Sequence, residues 1–277
     1  MTETNPTTAP RDAFHFGKNW QRYVERHLDP TRERIACQSL IDLLEADLSG
    51  STFLDLGAGS GLFSLCAYRL GANRVVSVDV DAQSVESCRA LRASVGDPLQ
   101  WEVIQGSILD RTLLEQIAPA DIVYSWGVLH HTGDMYRAIH NASQLVVMDG
   151  IFAIAIYNHA RSRRLDSTRW LAIKRTYNQL PRPAQVAMEL AYKVAWFMNE
   201  PRHGRNPVRV AREYKRSRGM ACATDLLDWL GGYPYEFAAP EKIVEFCERE
   251  CGMRTDKVLS VPTTGTGNNQ FVFRRVS

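Results

Sequence analysis

Phe53-Leu54-Asp55-Leu56-Gly57-Ala58-Gly59-Ser60-Gly61 begins as an apolar run and ends in three glycines at alternate positions. The apolar run is the pattern of a buried strand, and an apolar-periodic helix follows. The glycines between them allow a turn tight enough for a ligand to lie against backbone. Eighteen residues beyond Gly61 stands Asp79, which closes a second apolar run, Val75-Val76-Ser77-Val78. An acid in that place can accept hydrogen bonds from a ribose diol. The spacing is G-x-G-x-G behind an acid, Asp55. It is not the G-x-G-x-x-G of dinucleotide sites, because Leu62 occupies the position of that pattern's third glycine.

Outward from this stretch, strands and helices alternate. The pattern predicts a helix over Thr31–Ala46, strands over Thr52–Leu56 and Arg74–Val78, and between them a helix, Ser60–Leu70, stopped by Gly71. Asp81 is placed to cap a helix carrying Val85, Cys88, Leu91 and Val95. Trp101–Ile104 reads as the third strand, and Asp110 caps a helix to about Ile117. Asp121–Ser125 is the fourth strand, Asp134 caps the next helix, and Asp149-Gly150 turns into a fifth strand, Ile151–Tyr157. Such alternation implies βαβ units and a parallel sheet with right-handed crossovers. Ligands of such sheets sit at the strands' carboxyl ends, where strand order reverses. The motif residues fall there.

The alternation lapses between residues 159 and 238. Helices are predicted over Ser167–Gln179, Ala184–Met198 and Pro207–Arg218, separated by prolines. Glu241–Cys251 then reads as a helix, and Lys257–Val261 and Gln270–Arg275 as the last strands. The chain divides into a disordered tail (1–12), an arm and helix (13–50), a core (51–158 with 239–277) and a helical insertion (159–238). Leaving the fifth strand's carboxyl end, the insertion is expected to lie over the site as an acceptor lid. Residues 161–218 hold fifteen Lys/Arg against four acids, a balance of +11, although the whole chain carries only +2. That asymmetry favours an anionic partner. Ala184–Met198 is apolar nearly all round, which predicts a helix buried in its own subdomain; the wall of an apolar pocket and peripheral contact with a membrane are the other readings.

Bulk composition is that of an ordinary globular chain, with 45% apolar and 23% charged residues. No apolar run is long enough for a spanning helix, and Met1–Pro10 lacks the pattern of a signal peptide. The six scattered cysteines show no zinc-site spacing, so reduced thiols in a cytoplasmic protein are expected and no metal site is.

FLDLGAGSG, VVSVDVD, Gly106-Ser107-Ile108 and DIVYSWGVLHHTGDM, in that order, resemble the class I S-adenosylmethionine (SAM)-dependent methyltransferases of the UbiG/UbiE-like kind, in the methyltransferase type 11/12 group. FGKNW, SRGM, GGYPYE and NNQFVFRR are similar to a bacterial subfamily of unknown acceptor. The resemblance implies a Rossmann-like, doubly wound, mostly parallel α/β sheet of seven strands. It implies SAM as cofactor and S-adenosyl-L-homocysteine (SAH) as product. By it, Asp55 holds the methionine end, directly or through water, and Gly57, Ala58, Gly59 and Gly61 give backbone clearance. Asp79 binds the ribose, Val80 lies against adenine, Ser107 and Ile108 flank the base, and Ser125 and Trp126 lie beside the methionine portion. Two departures stand out: Ser107 replaces a frequent Asp, and Val147-Met148-Asp149-Gly150 replaces K-P-G-G.

Phe16, Lys18 and Trp20, in the aromatic arm, are candidates to close over the cofactor. His130 and His131 follow the fourth strand, where an acceptor meets the sulfonium. An imidazole suits proton removal near neutral pH, and His131 is marginally preferred as base over a packing role. Tyr157, Asn158, Tyr233, Tyr235 and Glu236 bracket the insertion and are expected to line the acceptor cavity. Three functions follow: methyl transfer to a small-molecule or lipid-like, anionic acceptor; transfer to tRNA or rRNA; or SAM binding without turnover. Basic and aromatic residues together would serve RNA, but no RNA-binding module is recognisable.

Overall fold

The computed structural model describes residues 30–162, 166–199, 204, 206 and 229–277. The expected tail, the aromatic arm with Phe16, Lys18 and Trp20, and the Pro207–Arg218 helix lie outside them.

Helix α1 (Pro30–Leu44) leads into β1 (Thr52–Leu56), α2 (Leu62–Arg69), β2 (Arg74–Asp79), α3 (Ala82–Ser94) and β3 (Trp101–Gln105). Next come α4 (Arg111–Leu114), β4 (Ala120–Trp126), a 3₁₀ turn (Leu129–His131), α5 (Met135–Ser143) and β5 (Val146–Tyr157). After the insertion's helices α6 (Ser167–Gln179) and α7 (Arg182–Asn199), the chain finishes with α8 (Pro240–Glu250), β6 (Met253–Leu259) and β7 (Asn268–Arg275). Asp81, Asp110, Asp134 and Asp166 cap α3 to α6 as short acceptors of exposed backbone N–H groups.

The seven strands form one sheet in the order β3-β2-β1-β4-β5-β7-β6. Its first five members are mutually parallel, and β7 runs antiparallel to both β5 and β6. Strand order reverses between β1 and β4, opening a crevice at their carboxyl ends. Alternation along β1 and β5 decides which layer each residue joins. Phe53, Ile151 and Ala153 pack with α1, α2 and α3, while Leu54, Leu56, Phe152, Ile154 and Ile156 pack with α5 and α8. Asp55 shares the face of Phe53, and this points it at α2.

Four expectations need correction. Asp149-Gly150 is no turn before a strand: β5 starts at Val146, and its register against β4 shifts between Ala120 and Ile122. Asp149 takes up the irregularity at φ 61°, and a side chain at Gly150 would press to 2.8 Å from the Val147 carbonyl. The helix after Asp110 stops at Leu114. β6 begins at Met253, not Lys257; it is the sheet's edge, and edge strands carry charges in place of an apolar run. Finally, α7 is not wrapped in apolar partners. It meets α6 through Trp170 with Tyr192 and Tyr177 with Glu189, while Val186, Leu190, Val194, Phe197 and Met198 stand exposed.

Candidate active site

At the carboxyl end of β1 the chain turns through Gly57, Gly59 and Gly61, at φ 79°, 55° and 83°. L side chains rarely adopt that region. A Cβ at Gly57 would collide with the methyls of Val128, and one at Gly61 would lie 2.6 Å from the Cys88 sulfur. The amides of Gly57 and Ala58 both donate to the Val78 carbonyl, so the loop is laced to the end of β2.

Two carboxyls flank it. Asp79 Oδ2 accepts from the Gly59 amide at 2.8 Å and its Oδ1 from the Asp81 amide at 2.9 Å. Each oxygen keeps lone-pair capacity for further donors such as sugar hydroxyls. Burial pushes the Asp79 carboxyl up to about 6, against the pull of those amides. Asp55, only 3% exposed, accepts from the Ser64 hydroxyl at 2.7 Å. Ser64 in turn accepts from Ser77, and Ser77 from the Trp101 indole N–H at 2.8 Å. Every donor in this chain points toward Asp55, yet none is charged. Burial therefore raises its carboxyl to about 7, with the Asp79 charge adding to the rise. A buried acid supplied only with neutral donors suits a cationic group. Together the two acids and the open loop fit the ammonium and ribose of an aminocarboxylate nucleoside.

Around the crevice, Ser125 is fully buried and donates to the Leu56 carbonyl, tying the tip of β4 to that of β1. Trp126 stands 42% exposed beside it. Val80 is half-buried beyond Asp79, and Ile108 is buried in the core. Ser107 Oγ accepts from the Leu109 amide, a local turn bond.

The histidines lie on the crevice's other side, in a box of rings at the ends of β4 and β5. His130 packs 4.0 Å from the Tyr157 ring and 4.5 Å from the His131 ring. Tyr157 meets Tyr235 at 5.2 Å and Trp229 at 5.4 Å. The two imidazoles differ in their bonds. His131 Nδ1 faces the Pro234 carbonyl, which only accepts, so Nδ1 carries the proton. His130 Nδ1 accepts from the Tyr157 amide, which places the proton on Nε2; that atom is buried without a partner among the described residues. Burial lowers His130 far below the ordinary histidine range and His131 to about 4, so both are neutral at pH 7.

The insertion's two ends meet here. Asn158 and Ala238 form a bridge, with the His159 amide donating to Ala238 and the Ala238 amide to Tyr157. Of the expected cavity residues, Tyr157 and Tyr235 join the box, and the Tyr235 hydroxyl is buried near that of Ser167. Tyr233 is half-buried beside them. The Glu236 carboxyl is buried against the Met135 and Gly133 amides and accepts from that of Met135. Asn158 is otherwise engaged: its amide holds Pro262, Gly265 and Asn269, and so it serves the 262–265 loop.

Reading the sequence missed three contributors. Ser64 and Ser77 were legible as polar residues inside apolar runs, which must find partners when buried. Lys174 had no such signal. On α6 it is fully buried, its Nζ lies 4.1 Å from the centroid of Trp229 and 4.8 Å from that of Tyr235, and it donates to the Trp229 carbonyl.

Comparison with known proteins agrees with this geometry. Residues 54–154 match the family model described as a methyltransferase domain. The ribosomal protein L11 methyltransferase of Tolumonas auensis is 42% identical over 66 residues, covering 23% of this chain and 22% of that relative. The chain therefore matches about a fifth of that relative's length. Among solved structures, magnesium protoporphyrin IX methyltransferase from Synechocystis with bound SAH is similar in fold, at TM-score 0.54 and 13% identity over 94% of this chain and 96% of that one. An O-methyltransferase family protein from Burkholderia thailandensis gives TM-score 0.52 at 13% identity, over 95% of this chain and 59% of that one.

Proposed function

Since the core of this chain is a class I SAM-dependent methyltransferase domain, we propose that the protein transfers a methyl group from SAM to a small-molecule or lipid-like, anionic acceptor. The observation that carries this reading is the glycine loop held open between two buried carboxyls at the β1/β4 reversal. When bound, SAM supplies an electrophilic methyl on a sulfonium.

The chain's own residues do the rest. Asp79 takes the ribose hydroxyls and Asp55 the amino group. The ring box excludes water and positions the acceptor for in-line attack, which is most of what such a transfer needs. His131, its Nδ1–H fixed by the Pro234 carbonyl, presents the Nε2 lone pair as the proton acceptor. His130, protonated on Nε2, serves as a donor toward the acceptor. The insertion, rooted at the Asn158–Ala238 bridge, lies over the box as its lid. Phe16, Lys18 and Trp20 remain candidates to close the cofactor side.

Incubating the protein with methyl-labelled SAM and fractionated cell extract tests the reading directly. Label is expected in a small-molecule or lipid fraction and absent when SAH is in excess. Label confined to macromolecules would favour a rival. That rival, transfer to tRNA or rRNA, has its own support in the +11 balance of residues 161–218. RNA bound through phosphates would be released steeply by salt. Binding of SAH with no labelled product in any fraction would leave a binding protein without turnover.

A further inference from the structure

We infer that the ring box is a binding site for a small planar carboxylic acid, its carboxylate received by Lys174, Tyr235 and His130 and its body lying among Tyr157, Trp229 and Tyr235. The inference deepens the proposed function and rests on it for the identity of the acid as methyl acceptor.

It starts from what the box lacks. Lys174 is fully buried, and an ammonium has three N–H donors. Among the described residues one acceptor meets them, the Trp229 carbonyl, and no carboxylate pairs with the charge. Its remaining surroundings are the faces of Trp229 and Tyr235. Ring faces attract a cation, but they replace only part of the water it gave up. Burial accordingly lowers Lys174 to about 7.

Two more donors lie in the same cluster. The Nε2–H of His130 is buried without a partner among the described residues, and the Tyr235 hydroxyl is buried with the Ser167 hydroxyl as its neighbour. Contacts run unbroken from one to the next: Lys174 to Tyr235 at 4.8 Å, Tyr235 to Tyr157 at 5.2 Å, and Tyr157 to His130 at 4.0 Å. Buried polar groups are seldom left with spare donors, and an ammonium, a ring N–H and a hydroxyl on one cluster of rings suit a shared acceptor. A carboxylate has about four lone-pair sites and a single charge, which matches this set.

The same features argue against phosphate. Phosphates are held by several cations or by runs of backbone N–H groups, as at helix N-termini. Here one ammonium stands among aromatic walls. An anion with a single charge and an apolar body gains from those walls, whereas a strongly hydrated dianion would lose its water for little return.

The test uses the full-length protein saturated with SAH, with tryptophan fluorescence and calorimetry as readouts. The probes are benzoate, phenylacetate, benzamide and inorganic phosphate. The two carboxylates are expected to bind at least tenfold more tightly than benzamide, with no measurable binding of phosphate. In Lys174→Met, carboxylate affinity falls at least tenfold, SAH affinity is unchanged, and the melting temperature holds or rises because an uncompensated charge has left the interior. Equal binding of acid and amide, tighter binding of phosphate, no binding of either carboxylate, or unaltered affinity in Lys174→Met would each overturn the inference. Unfolding of Lys174→Met would overturn it too, by making the ammonium part of the framework. The carboxylate titrations are repeated without SAH, so a failure to bind SAH counts against the proposed function alone.

Discussion

The two sides of the crevice bury opposite kinds of charge. On the β1–β2 side, Asp55 and Asp79 are taken out of water and their carboxyls rise to about 7 and about 6. On the β4–β5 side, His130, His131 and Lys174 are taken out of water and all three fall. Burial does the same thing to both: it disfavours whichever form is charged. The acid side is thus short of a cation and the base side of an anion or an acidic proton. On the proposed function, a methyl donor with a positive centre and an acceptor that must shed a proton would meet those two needs in one cleft.

The comparison breaks most visibly if the base side does no chemistry. His131→Ala is expected to slow methyl transfer roughly a hundredfold, the usual reach of a positioned general base. Near-normal turnover would leave the imidazole a packing group. Because His131 sits at about 4, the rate at saturating SAM and acceptor should show no step near 6.5, where an ordinary histidine would produce one. A step there in the pH profile would place the proton acceptor elsewhere.

On the acid side, Asp79→Ala should weaken SAH binding by more than about 1 kcal/mol, since a buried diol contact to a carboxylate is charge-assisted. Unchanged affinity by calorimetry would remove its ribose role. Asp55→Asn sharpens the contrast by splitting stability from binding. A carboxyl raised to about 7 is protonated first in the folded chain, so it adds stability at low pH and loses it as pH climbs from the unfolded value of 3.8 toward 7. Removing the charge should therefore raise stability by at least about 1 kcal/mol at pH 8, with the gain shrinking toward pH 4, while SAH binds less well. A lower melting temperature at pH 8 would mean that the carboxylate is better compensated than its neutral donors allow.

The smallest effect concerns the wild type. SAH affinity should drop severalfold between pH 8 and pH 6 as Asp55 and then Asp79 take up protons, and binding in that window should release protons. Calorimetry in buffers of different ionisation enthalpy checks this. No proton release would indicate that both acids are already ionised in the free protein.

The two sides also differ in how far the sequence reveals them. The acid side is local: its residues follow one another within about a turn of the chain's strand–loop–helix unit, and glycine spacing advertises it. The parallel strands followed from the same alternation, and the expected caps Asp81, Asp110 and Asp134 sit at the helix starts. The base side is assembled from residues 130, 157, 174, 229 and 235. Lys174 shares its helix with Arg169 and Arg175, so nothing in its neighbourhood separates the one basic residue facing inward from those in solvent. Its burial is decided by Trp229 and Tyr235, far along the chain. Asn158 misled in the opposite direction: it borders the box in sequence but spends its amide on a loop. For β6, the alternating burial of an edge strand was masked by charges that pair across to β7, such as Arg274 with Asp256.

The bridge between Asn158 and Ala238 has a consequence for how such a protein diversifies. Because the excursion departs and returns at one hydrogen-bonded point, the sheet's register does not depend on what happens in between. On the proposed function, much of the wall that meets the acceptor could be exchanged without retuning the loop that grips the methyl donor, while His130, His131 and Tyr157 stay in place. The joint makes the molecule modular, and a transplant cut at those two residues is where that modularity would be exercised.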